Sequence, residues 1–240
     1  MNNVLGTRLA IPASTRPPAL APAFVASFDL EEHDRIEAAS GLDVSAELRA
    51  EYGRRMESTT RQLLDLLAAA EAKATFYIVG TIARTHPALV RAIHAAGHEV
   101  GSHSWEHSRV HRFTPDSFRE DLLRSKDVLE QTIGDAVVGF RAPTFSIDRS
   151  TGWAIDVLAE CGFEYDTSIF PVRHDRYGIP DAPRGPFLAV GQEGEILEIP
   201  PVTYRAAGLA LPVGGGGYFR LFPLAFMRAG LRQVARAAPP

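Results

Sequence analysis

Two imidazoles four residues apart, His103 and His107, sit in the segment HSWEH, directly after a short strand-like run. On a helical turn, positions i and i+4 point the same way, so both rings can reach one metal ion. His111 extends the spacing by another four. A third ligand must come from elsewhere, and Asp29 and Glu31 are the candidates. Alternation on an extended strand puts both carboxylates on one face, while Leu30 and Glu32 point away. A metal held by two imidazoles and one carboxylate keeps a position open for water, the arrangement of catalytic rather than structural zinc. Taken singly, His-x-x-x-His is more often a solvated loop, and Asp29, Glu31, Glu32 and Asp34 read equally well as an acidic loop facing solvent. The carboxylate pair and the imidazole pair at two strand ends carry the metal reading jointly.

Further groups fall at the same kind of position. Arg141, in GFRAP at the end of the fourth strand-like run, is placed to hold a carboxylate by a forked ion pair and keep it ionised as a base. Asp166 and Ser168 end the fifth run, where short polar side chains also serve as simple caps. Gly214 to Gly217, before Tyr218 and Phe219, form a flexible strip beside two aromatic faces. Its glycines would let backbone approach a sugar chain closely. No Lys-Ser or Lys-Thr follows and no helix clearly begins there, so it is not a nucleotide-phosphate loop. Trp105 and Trp153 read as packing before they read as sugar-stacking surfaces.

These groups need a scaffold that gathers strand ends. From Pro22 onward, short apolar β-branched runs alternate with longer helical patterns, which indicates βα units around a parallel sheet. The strand-like runs fall at 23–30, 75–79, 99–103, 137–142 and 164–170, and the helical patterns at 46–72, 87–96, 115–133 and 150–161. Pro87 and Thr114-Pro115 mark helix starts, and Gly97, Gly134 and Gly162 mark stops. Between 171 and 201 the chain is rich in Pro and Gly, and only 196–199 reads as a strand, so this is a long loop of the functional kind. A last helix covers 223–237. In α/β barrels the C-terminal ends of the strands are where loops gather catalytic groups.

Length and composition bound the classes. A chain of 240 residues with 45% hydrophobic and 22% charged side chains is a single large globular domain, expected over 23–240. A formal charge of -4 gives no basic excess to ask for a nucleic-acid partner. The one cysteine, Cys161, excludes disulfides within the chain, and no run approaches a membrane span. Residues 1–22 read as a flexible leader, because Arg8, Arg16 and the prolines at 12, 17, 18 and 22 interrupt any apolar core of a secretory signal. A cytoplasmic location is the expectation, with action at the envelope left open.

SFDLE, HSWEH, FRAPTFS and YDTSIFP, in this order and at these intervals, resemble the successive motifs of the polysaccharide deacetylase (NodB-homology) carbohydrate esterases. HDRYGIPDAPR (His174 to Arg184) and LPVGGGGYFRL (Leu211 to Leu221) are similar to the additional motifs of the exopolysaccharide-locus deacetylases associated with the PEP-CTERM/exosortase system. The resemblance covers most of Ala23 to Met227. It implies an α/β fold, a distorted (β/α)7 barrel, here expected to be incomplete at the C-terminus.

The resemblance implies Asp29 as the catalytic base, Arg141 as the arginine that orients it, and His103 and His107 as metal ligands. The usual motif has adjacent aspartates where this chain has Asp-Leu-Glu, so Glu31 is the expected carboxylate ligand by strand parity, ahead of Glu32. Pro143, Asp166 and Ser168 are expected to contact substrate at the rim. His174, Tyr177, Gly216 and Tyr218 are expected to do so from the subgroup's own motifs. The activity implied is hydrolysis of N-acetyl groups on amino sugars of a bacterial exopolysaccharide, with a divalent ion, Zn2+ first, as cofactor and a polysaccharide or oligosaccharide as partner. The family's late histidine, the acid for the leaving amine, falls in a His-Pro-Trp-Glu segment that is absent here, and the only histidine after His111 is His174. A truncated chain, or replacement by His174 or water, accounts for that. A metal-dependent amidase acting on peptidoglycan or a small cyclic amide, and a non-catalytic carbohydrate-binding remnant, are the competing functions.

Overall fold

The computed structural model describes residues 25–32 and 43–237. The leader at 1–22, the start of the first strand-like run, and Asp34 lie outside the described residues. Strands β1 (Ala26–Leu30), β2 (Ala74–Ile78), β3 (Glu99–Ser102), β4 (Gly139–Phe140), β5 (Tyr165–Asp166), β6 (Phe187–Val190) and β7 (Glu195–Glu198) form one sheet in the order β1-β2-β3-β4-β5-β7-β6. Every neighbouring pair is parallel except β6 with β7. Helices α1 (Ala46–Ala69), α2 (Gly80–Thr85), α3 (Pro87–Ala95), α4 (Pro115–Ile133) and α5 (Ala154–Glu160) connect the strands. The class is α/β, as expected. Among the described residues, β1 and β6 stand at opposite ends of the strand order and do not pair.

Parallel strands covered on both faces carry continuous apolar runs, and all five residues of β2, ATFYI, are buried. One face packs on helices. Phe76, Ile78, Val100 and Phe140 of the sheet share a core with Ile82, Leu89 and Ile93, with Phe118, Leu122 and Leu129 of α4, and with Ile155 and Leu158 of α5. The start of α4 is fixed as read: Thr114 caps it, its side chain and that of Ser117 bonding reciprocally, with Pro115 in the first turn.

The other face is shaped by two glycines opposite two tyrosines. Gly101 pairs with Tyr77, and Gly139 with Tyr165. A Cβ on Gly101 would stand 2.6 Å from the Tyr77 ring, and one on Gly139 2.3 Å from the Tyr165 ring, so only glycine admits these rings over the neighbouring strand. The two hydroxyls meet at 3.3 Å. The tyrosines form a floor below the C-terminal ends of β1 to β5.

The second half of the chain departs most from expectation. Strands β4 and β5 are two residues each, shorter than read. The stretch read as one long loop holds a hairpin, β6 with β7, tied to α5 by Asp156, whose carboxylate accepts from the N–H groups of Gln192, Glu193 and Gly194. A second hairpin, β8 (Thr203–Ala206) with β9 (Leu209–Pro212), precedes α6 (Gly216–Leu221) and α7 (Leu224–Ala237). A helix therefore does begin inside the glycine strip, contrary to expectation. Elements of four to six residues are too short to display a period, which is why α2, β6, β8, β9 and α6 escape a pattern-based reading.

Candidate metal and hydrolytic centre

Because β1 to β5 run parallel, their C-terminal ends lie on one rim, and the ladder continues past them. His103 N–H donates to Ile78 O at 3.0 Å, Arg141 N–H to Ser102 O at 3.0 Å, and Thr167 N–H to Phe140 O at 3.1 Å. These bonds fix the backbone from which the site's side chains project.

Glu31, His103 and His107 bring one ligand atom each to within 4.8 Å of one another. Two imidazoles and a carboxylate are a borderline donor set suited to zinc and its neighbours. Glu31 Oε2 lies 2.7 Å from His107 Nε2. Yet that oxygen is buried and accepts no hydrogen bond among the described residues. A carboxylate oxygen and an imidazole nitrogen at this separation form an ion pair when the ring is protonated and can share one cation when it is neutral. His103 is 2% exposed, and its Nδ1 lies 2.7 Å from the Arg141 carbonyl oxygen. That acceptor places the ring proton on Nδ1 and leaves Nε2 as a lone-pair donor. Burial lowers the His103 pKa, against the opposing charge of Asp29, so the ring is neutral, as a ligand must be. The residues present fit the divalent ion.

The imidazoles converge by a route other than the one expected. Residues 103–107 are not a helical turn; Ser104 and His107 take φ of 67° and 62°, left-handed values that bring both rings inward, with centroids 5.0 Å apart. Such backbone is costly for residues with a Cβ and persists where the surroundings over-determine it. Here Gly80 and Thr81 N–H groups donate to the carbonyls of Ser104 and Trp105, and Ser125 Oγ donates to Ser104 O. The Trp105 N–H donates to Asp121. Burial raises the Asp121 pKa to about 6, against the lowering effect of that bond. Trp105 is 6% exposed and lies between the guanidinium groups of Arg84 and Arg124, so it anchors the loop. Trp153 packs edge-on against Phe118. His111 bonds to Asp148 at 3.0 Å, apart from the cluster.

Asp29 stands beside the cluster. Its Oδ1 accepts from Arg141 Nη1 at 2.7 Å. The expected fork is split: Arg141 Nη2 goes instead to Ser27 Oγ at 2.8 Å and to Thr167 Oγ1 at 3.3 Å. The guanidinium lies over the Tyr77 ring at 4.2 Å. Crowding raises the Asp29 pKa, but Arg141 and the two imidazoles outweigh it and hold the carboxyl below the ordinary carboxylate value. Asp29 is therefore ionised, with part of its side chain open to solvent. Glu32 turns the other way, its Oε1 beside Gly53 of α1, and is not a member of the cluster.

Three residues expected to touch substrate are buried in the described structure. Asp166 and Ser168 have no exposed surface, and Pro143 is buried in the turn Pro143–Phe145. Strand ends at this rim dip inward, so position along the strand did not separate lining from support. His174, Tyr177 and Tyr218 are half-buried and Gly216 is exposed. His174 stacks on Tyr177 with centroids 4.0 Å apart, and the Tyr177 and Tyr218 hydroxyls meet at 2.6 Å. Phe145, 5.6 Å below the Arg141 guanidinium, contacts Tyr177 and connects this group to the site. Ser27, Tyr77 and Thr167 are the contributors that the sequence reading missed. Strand parity with Asp29 was the available signal for Ser27, and the glycines opposite were the signal for Tyr77.

Residues 47–165 match the family profile described as polysaccharide deacetylase, and residues 167–240 match a domain of unknown function, DUF3473. The chain is 32% identical over 99 residues to the uncharacterized protein YlxY of Bacillus subtilis, covering 41% of this chain and 30% of that one. It is 29% identical over 98 residues to a peptidoglycan-N-acetylglucosamine deacetylase of Bacillus cereus, covering 40% of this chain and 36% of that one. It thus spans about a third of the length of these curated relatives. A crystal structure of a Mycobacterium smegmatis protein, designated provisionally as a polysaccharide deacetylase, superposes with a TM-score of 0.63 at 24% identity, covering 97% of this chain and 78% of that one. That likeness concerns the fold. The polysaccharide deacetylase profile thus covers the segment from α1 to the start of β5. His103, His107 and Arg141 fall within the matched segment, whereas Asp29 and Glu31 precede it.

Proposed function

We propose that this chain is a divalent-metal-dependent hydrolase that removes N-acetyl groups from amino sugars of a bacterial exopolysaccharide and releases acetate. The carrying observation is the convergence of Glu31, His103 and His107 beside a carboxylate, Asp29, that Arg141 keeps ionised. When bound, the ion supplies an electrophile for the acetyl oxygen and makes a coordinated water more acidic; Zn2+ is the ion we assign. Asp29 takes the proton of the water that attacks the acetyl carbon, with its other side held by Arg141. His103 is kept in one tautomer by the Arg141 carbonyl, so the same residue sets both the base and a ligand. When the C–N bond breaks, the amine takes up a proton, and His174 or water is the donor we assign. Tyr177, Tyr218 and His174 present aromatic surface on which a sugar ring can stack.

A second reading, peptidoglycan as substrate, is favoured by the name of the Bacillus cereus relative. The test is acetate release by the zinc-loaded chain from N-acetylated exopolysaccharide fragments and, separately, from peptidoglycan, with ring opening of a cyclic amide as a third assay. Acetate from the first substrate alone supports the reading, and acetate from peptidoglycan alone replaces it. Zinc binding with sugar affinity but no acetate from either would make the chain a binding module.

A further inference from the structure

Asp166 and Glu198 form a buried pair that the reaction does not use. They are direct partners in register on β5 and β7, and neither exposes any surface. Asp166 Oδ1 accepts from the Ser168 hydroxyl at 2.5 Å, and that hydroxyl in turn accepts from the Ala142 N–H at 2.7 Å. Glu198 Oε1 accepts from the Ile169 N–H at 3.0 Å. The remaining oxygens, Asp166 Oδ2 and Glu198 Oε2, are both buried and find no donor among the described residues. As register partners on adjacent parallel strands, the two side chains lie side by side on one face of the sheet. Two ionised carboxylates cannot share such a place without a cation between them. The charged side chain that reaches the pair is Arg141, from the end of β4; its Nη1 donates to Asp29, its Nη2 to Ser27 and Thr167, and its buried Nε bonds neither carboxylate. One proton between the two orphaned oxygens satisfies both.

We propose that Asp166 and Glu198 hold one proton between them as a carboxylic acid–carboxylate pair, and that this pair positions Arg141. The positioning half rests on the hydrolytic function proposed above. Burial, then the charge of Asp166, drive Glu198 well above the ordinary carboxylate range, and burial raises Asp166 too, against its hydrogen bonds, so one proton stays with the pair. The pair clamps the segment 166–169 beneath the arginine. Thr167 in that segment accepts from Arg141 Nη2, and Ser168 accepts from the N–H of the residue that follows Arg141. A second negative charge in the pair would compete with Asp29 for the guanidinium. Glu198 and Asp166 are positioning residues, acting through Arg141.

The test begins with difference infrared spectroscopy of the full chain in light and heavy water at pH 8, where Asp121, with a pKa of about 6, is ionised. A carbonyl band of a neutral carboxylic acid is expected in the wild type and is expected to vanish in Glu198→Gln; in Asp166→Asn, where Glu198 stays buried, it is expected to shift in frequency as its acceptor changes. Absence of the band in the wild type, its persistence in a folded Glu198→Gln, or an unshifted band in Asp166→Asn should the first variant fail to fold, overturns the proposal whether or not the chain proves to be a deacetylase. For positioning, the zinc-loaded protein is assayed for acetate release from an N-acetylglucosamine oligomer. Glu198→Gln, which keeps a donor toward Asp166, is expected within about threefold of wild-type kcat, and Glu198→Ala about tenfold or more below it at similar KM. Equal kcat in Glu198→Ala, or Gln as poor as Ala, overturns the positioning role. Failure of the wild type to release acetate from any substrate sinks the functional reading and the positioning half with it, and leaves the infrared result standing.

Discussion

Glu31 illustrates how much of the site depends on the direction of one side chain. Its neighbour Glu32, one residue on, faces α1, while Glu31 faces His107 at 2.7 Å. In the proposed hydrolase this carboxylate and imidazole are the ligand half of the site, and Asp29 is the base half. The two are separable by experiment. Glu31→Gln and His103→Ala are expected to lose bound zinc, read by elemental analysis after dialysis against trace metal, and activity with it. Asp29→Asn is expected to keep its zinc while acetate release falls by about 10²- to 10⁴-fold. Retention of full activity in Asp29→Asn would remove Asp29 from the role of base.

At the scale of the element, the loop after β3 and the hairpin after β5 are each held by one acidic residue. Asp156 serves three consecutive backbone N–H groups of the β6–β7 turn, and a Cβ on Gly191 would stand 2.1 Å from its Oδ1. Asp156→Ala is expected to destabilise the protein by about 1–3 kcal/mol, measured by urea unfolding. Asp121 serves the Trp105 N–H, and burial lifts its pKa from the ordinary 3.8 to about 6. The folded state therefore favours the neutral acid. The stability this contributes is complete below about pH 4 and is lost as the pH rises through about 6. Asp121→Asn keeps an acceptor for Trp105 and is expected to flatten the dependence of the unfolding midpoint on pH across that interval. An unchanged slope in the variant would assign the dependence to another group.

What was legible in the sequence followed from period and parity. Strand parity separated Glu31 from Glu32, and Thr114 with Pro115 marked the start of α4. The route by which the imidazoles converge was not legible. Positive φ at Ser104 and His107 is imposed by α2 and by Ser125, contacts distant in sequence. Nor was the inward dip of Asp166 and Ser168 legible, because a polar residue at a strand end looks alike whether it faces water or a buried partner. The hairpins after β5 escaped for want of length.

At the scale of the whole molecule, the proposed ligands are drawn from both sides of β2: Glu31 follows β1, at one end of the strand order among the described residues, and the imidazoles follow β3. A cation there would act as a staple across β2, tying the outermost strand to the interior. Outer strands breathe more readily than inner ones, because only one flank is hydrogen-bonded. Amide hydrogen exchange of Ser27 to Leu30 should therefore slow on addition of zinc more than exchange in α5, and in the Glu31→Gln variant it should not respond. Cofactor supply would then govern how often this flank of the protein opens as well as whether it turns over substrate.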